Sequence, residues 1–131
     1  MQSVPLTIRH KLPFIQVHVT CCGQSILIPS VLVDTGSDST CFEADIIRPM
    51  GLLPGRDEII HFVHGVGGAE TVYGGTLDSI SIGDLRLGPT RVDIGRMGYG
   101  FGIDAILGMD ILESAEAVID LPARVIRFNR S

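Results

Sequence analysis

The apolar run Val31-Leu32-Val33 ends in Asp34-Thr35-Gly36-Ser37-Asp38, a carboxylate followed at once by a tight turn. Such a run reads as a buried strand. A carboxylate at its end must be solvated, hydrogen-bonded or used, because burying it unpaired costs too much. An Asp held at that point can do acid–base chemistry. It can also be a plain turn residue whose side chain caps its own backbone. A second apolar segment, Ala105-Ile106-Leu107-Gly108-Met109-Asp110-Ile111-Leu112, lies far along the chain. Between the two sits a glycine-rich stretch, Gly65-Val66-Gly67-Gly68.

Other groups with chemical potential are weaker. His61 and His64 suggest a metal, but an i,i+3 pair on a strand faces opposite ways and no third ligand is near in sequence. No metal and no cofactor is expected. Cys41 lies near the Asp34 turn, where a thiol pKa could be lowered, yet most such thiols are simply buried. Gly98-Tyr99-Gly100-Phe101-Gly102 reads either as a lining of binding subsites or as a surface loop.

These groups must be positioned by strands. Phe14 to Thr20 alternates, with Ile15, Val17 and Val19 on one face and Gln16, His18 and Thr20 on the other. Cys22-Gly23-Gln24 reads as a turn. Ser25 to Ile28 and Val31 to Val33 read as strands around Pro29, which suits an edge or a bend. Thr40-Cys41-Phe42-Glu43 has the form of a capping box and predicts a short helix beginning near Cys41, ended by Pro49 and Gly51. Ile59 to Val63 and Glu70 to Tyr73 form a long hairpin with Gly65 to Gly68 as its tip. Further strands are expected at Ser79 to Ile82, Leu85 to Leu87, Arg91 to Ile94 and Ile103 to Leu107. Met109 to Ser114 reads as a second short helix. Ala117 to Asp120 and Val125 to Phe128 close the chain as a hairpin.

The 131 residues read as one domain, 1–131, large enough to bury a core. Sixteen glycines and seven prolines punctuate short β-branched runs, which points to an all-β barrel or sandwich. No apolar stretch approaches the ~18 residues of a membrane span, and the first residues lack the core of a signal peptide. Net charge is −5 with no basic run, which argues against nucleic acid as a partner. Three cysteines, two of them adjacent, make no disulfide framework. Reduced thiols and a cytoplasmic location are the expectation.

Asp34-Thr35-Gly36-Ser37, the glycine-rich hairpin and Ile106-Leu107-Gly108, in this order over roughly Phe14 to Phe128, resemble the single-domain, retropepsin-like aspartic proteases of bacterial type. The resemblance implies a closed, barrel-like acid-protease fold with one or two short helices. It implies a homodimeric endopeptidase acting on polypeptides, with Asp34, Thr35 and Gly36 as catalytic residues. One Asp34 from each copy would share a proton and activate water between them. Thr35 would lock the two turns together, and Gly36 would donate its N–H to the carboxylate. Ser37 would donate its hydroxyl to the outer oxygen of Asp34. Ser37, Asp38, Gly65, Val66, Gly67, Gly68 and Ile106 would contact substrate, with Gly65 to Gly68 as a flap. Met109 stands where retroviral relatives carry an arginine that ties the dimer together. The expected dimer contacts are therefore Met1 to Leu6, Arg127 to Ser131, Arg124 and Arg127. A reading from another class also fits: the same fold as a catalytically silent peptide-binding or dimerisation module.

Overall fold

A computed structural model describes residues 2–53, 61–65, 68–97 and 102–129. Among them the chain is mostly β, with two short α-helices. The strands are β1 Gln2–Pro5, β2 Thr7–Arg9, β3 Leu12–Cys21, β4 Gln24–Val33, β5 Cys41–Glu43, β6 His61–Gly65 and β7 Gly68–Leu77. They continue as β8 Ser79–Ile82, β9 Leu85–Leu87, β10 Thr90–Gly95, β11 Ala105–Leu107, β12 Ala117–Asp120 and β13 Val125–Phe128. Helix α1 covers Ala44–Ile47 and α2 covers Met109–Ser114, and a 3₁₀ turn at Arg48–Met50 extends α1.

The main sheet runs β6-β7-β10-β5-β11-β4-β3-β8-β9, with β2 added alongside β3. A smaller sheet has the order β1-β13-β12. The alternation expected in β3 is observed: Ile15, Val17 and Val19 are buried while Gln16 and His18 are exposed. Its partner β4 is one strand rather than two. Pro29 is accommodated because the β3–β4 register slips between Ile15 and Val17, and β11 pairs only with Val31–Val33.

Two apolar clusters pack the sheet. Val31, Val33, Ala105 and Leu107 point into the larger one with Val17, Ile28 and Ile94. Leu32 and Ile106 point the other way, onto Phe14, Cys41 and Val72. Each fully buried aliphatic side chain contributes about 1.5–3 kcal/mol. The Asp34 turn thus leaves a strand pinned on both faces.

Thr40–Glu43 does not open a helix, contrary to its capping-box pattern. Cys41 to Glu43 is a strand, parallel to β10 and antiparallel to β11, and the helix begins only at Ala44. Glu43 at its N-cap makes no side-chain cap bond and instead accepts the N–H of Met97 at 2.7 Å. Ladder bonds on both sides outweigh a local cap worth about 1 kcal/mol. Gln2–Pro5 pairs antiparallel with Val125–Phe128 of the same chain, which leaves β1 at an edge of the small sheet. Arg127 is likewise engaged within the chain, donating to Asp120 at 3.0 Å. The Ala123 N–H and Arg127 together hold the Asp120 carboxyl below its usual range. Among the described residues no helix is long and apolar enough to cross a membrane.

Candidate active site

Asp34 stands where β4 ends beside β11. Parallel pairing sets Val33 opposite Leu107, and the Asp34 N–H donates to the Leu107 carbonyl at 3.0 Å. The turn then folds back on its own carboxylate. The Gly36 N–H donates to Asp34 Oδ1 at 2.9 Å and the Ser37 N–H to the Asp34 carbonyl at 3.2 Å. Asp34 is half-buried, whereas Thr35, Gly36 and Asp38 are exposed.

Ser37 departs from the sequence expectation. It is buried, and its hydroxyl donates to the Ser39 carbonyl at 2.8 Å rather than to Asp34. Its role within one copy is to hold the turn's shape. Ile106 lies in the second apolar cluster, behind the turn. Gly65 and Gly68 face each other at the end of the β6–β7 hairpin. Val66 and Gly67 lie outside the described residues, as do Gly98 to Phe101.

Sequence reasoning missed the brace beneath the turn. Thr40, 1% exposed, donates its hydroxyl to Asp110 Oδ1 at 2.8 Å and its N–H to Asp110 Oδ2 at 3.1 Å. The same hydroxyl accepts the Gly108 N–H at 3.0 Å. Asp110 Oδ1 also takes the Ile111 N–H at 2.8 Å, and the Met109 N–H donates to the Ser37 carbonyl at 2.8 Å. The start of α2 is thereby bolted to the Asp34 turn. The available signal was the carboxylate two residues after Gly108, in the first turn of a short helix. Thr40→Val, which keeps the shape but leaves the Gly108 N–H and Asp110 short of partners, is expected to cost about 1–3 kcal/mol. Urea unfolding checks this, and an unchanged midpoint would refute the brace.

Beside Asp34 and Thr35 opens a groove of about 690 Å³, walled by Lys11, Leu121, Pro122 and Arg124. The tip of the β12–β13 hairpin thus comes to the site, which the sequence did not disclose. Leu121 is 56% exposed there.

The family model described as aspartyl protease matches residues 17–111, from within β3 into the first turn of α2. The chain belongs to the aspartyl protease family. The matched span holds Asp34, its turn, the hairpin and the Gly108 brace of this aspartyl protease family member. A retropepsin-like aspartic protease from Rickettsia conorii has a similar structure, with TM-score 0.64 and 16% identity over 98% of this chain and 90% of that one. That likeness establishes the retropepsin-like fold. No curated protein matches.

Proposed function

We propose that the protein is a homodimeric aspartic endopeptidase in which the Asp34 carboxylates of two copies activate one water. The observation that carries this reading is the half-buried Asp34 carboxylate, presented by a turn that donates Gly36 N–H to it and is braced by α2. Two carboxylates about 3 Å apart do not both ionise readily, so one keeps a proton. The ionised member takes a proton from water, and the protonated member polarises the scissile carbonyl. The titration belongs to the pair.

Roles follow for the neighbours. Gly36 holds the carboxylate in position, and Thr35, exposed in the single chain, bonds across the two-fold axis. Asp38 meets substrate backbone amides, and Gly65 to Gly68 form the flap that excludes water. Ile106 shapes the apolar floor, and Ser37 supports substrate contacts by fixing the turn. The polypeptide lies extended across the axis.

The dimer is supported by arithmetic and by surface. The chain has one Asp-Thr-Gly, while the mechanism needs two carboxylates. Thr35 and the bare Leu121 flank the same groove, and a second copy would cover both. Analytical ultracentrifugation of the wild type is expected to show a dimer, and Leu121→Glu is expected to shift it to monomer with loss of cleavage. A wild-type monomer that still cuts a peptide library would overturn the two-fold site. A dimer that binds peptides across acid and neutral pH without cutting them would establish the binding module instead.

A further inference from the structure

The β3–β4 hairpin, away from Asp34 at the other end of β4, carries a pair of thiols that the proposed hydrolysis does not use. Cys21 ends β3 and is 2% exposed, packed into the larger apolar cluster. Cys22 is exposed and occupies the first position of a two-residue turn, with φ of 57° there and 78° at Gly23. Both values are positive, so the turn is of the kind that favours Asn-Gly or Gly-Gly, and a cysteine takes that left-handed position only at a conformational cost. The two sulfurs are 2.8 Å apart. A disulfide needs about 2.05 Å. Both thiols are free. Gly51 lies beside them, with Cys22 Sγ 3.7 Å from where a Cβ on Gly51 would stand.

We propose that Cys21 and Cys22 form a vicinal dithiol that is oxidised by small-molecule disulfides to a disulfide within a single turn. The exposed Cys22 thiolate attacks one sulfur of the oxidant, forming a mixed disulfide and expelling one thiolate. Cys21 then loses its proton to that thiolate and attacks Cys22 Sγ. The Cys21–Cys22 bond forms, the mixed disulfide breaks, and the second small thiol leaves. Two protein thiols are oxidised, and one disulfide is reduced to two thiols.

The environment sets this order. Burial first, then the hydrogen bond and the charge of Cys22, with Asp78 adding to them, push the Cys21 thiol up to about 12. Cys21 is therefore a poor first nucleophile. Once Cys22 is capped as a mixed disulfide, its contributions vanish and Cys21 becomes easier to deprotonate. A thiolate of high basicity is also intrinsically the stronger attacker. Cys41, buried in the smaller cluster on the other face of the sheet from Cys21, takes no part.

The test uses the full chain and oxidised glutathione, read by intact mass and peptide mapping. Wild type and Cys41→Ser should each lose two hydrogens, with the bond confined to the peptide containing Cys21 and Cys22. Cys21→Ser should instead keep a stable glutathione on Cys22, and Cys22→Ser should stay unmodified at Cys21. Retention of glutathione by the wild type, bonding between chains in place of the internal bond, or no reaction at all would overturn the proposal. The wild-type result stands alone should a variant fold poorly.

Discussion

Asp34→Asn is expected to abolish peptide cleavage while leaving the fold and the dimer in place. The amide keeps the oxygen that accepts the Gly36 N–H, so the turn retains its 2.9 Å bond. It cannot take a proton from water, and the loss of that step alone is worth about 10²–10⁴-fold. In the proposed dimer, with both copies altered, the dyad would have neither its base nor its shared proton. Cleavage should fall at least at the upper end of that range, read as kcat/KM on a peptide drawn from a library. Unfolding midpoint and sedimentation should match wild type. A variant that cleaves at the wild-type rate would move the chemistry off Asp34, whereas one that still binds an uncut peptide keeps the groove and loses only the reaction.

Gly108→Ala should damage the protein through crowding. Gly108 has φ of −94°, which any residue adopts, so the backbone itself does not demand glycine. The space does. A Cβ there would overlap the Ser39 carbonyl oxygen, lie 2.6 Å from the Ser39 carbonyl carbon and 3.1 Å from the Ser37 carbonyl oxygen. Those atoms are backbone, and the Ser37 and Ser39 carbonyls already accept bonds from the Met109 N–H and the Ser37 hydroxyl. They can move only by breaking the bonds beneath Asp34. Overpacking of this kind costs about 1–3 kcal/mol, and the displaced turn should lower activity further. Gly88→Ala is the control, since nothing lies within 4 Å of its added Cβ. Equal urea midpoints for the two variants would refute the account.

Much of this was legible in the primary structure because local rules and tertiary packing agreed. The Asp34 turn, the strand Val31 to Val33 before it, the strands β8 and β9, helix α2 and the closing hairpin all occur where pattern placed them. Thr40–Glu43 misled because a capping-box pattern is a local signal, whereas Cys41 to Glu43 is claimed by two strands distant in sequence. The Ser37 hydroxyl misled because a resemblance carries a motif's residues but not the rotamer that this turn selects. The Thr40–Asp110 brace and the approach of Leu121 to Thr35 could not be read at all. Both depend on how the sheet curls, which no spacing along the chain encodes.

The pairing of the Asp34 turn with residues so late in the chain also bears on when this site comes into being. Asp34 N–H answers to Leu107, and Thr40 is joined to a carboxylate 70 positions onward. A growing chain that has not yet reached Asp110 has the Asp34 carboxylate on a loop with nothing beneath it. Closing such long loops is an entropic cost met late in folding. The small sheet waits longer still, since β1 pairs with β13 near the other end. The Asp34 carboxylate is thus made early and supported last, so under the proposed function an unfinished copy would lack the braced turn that the reaction needs.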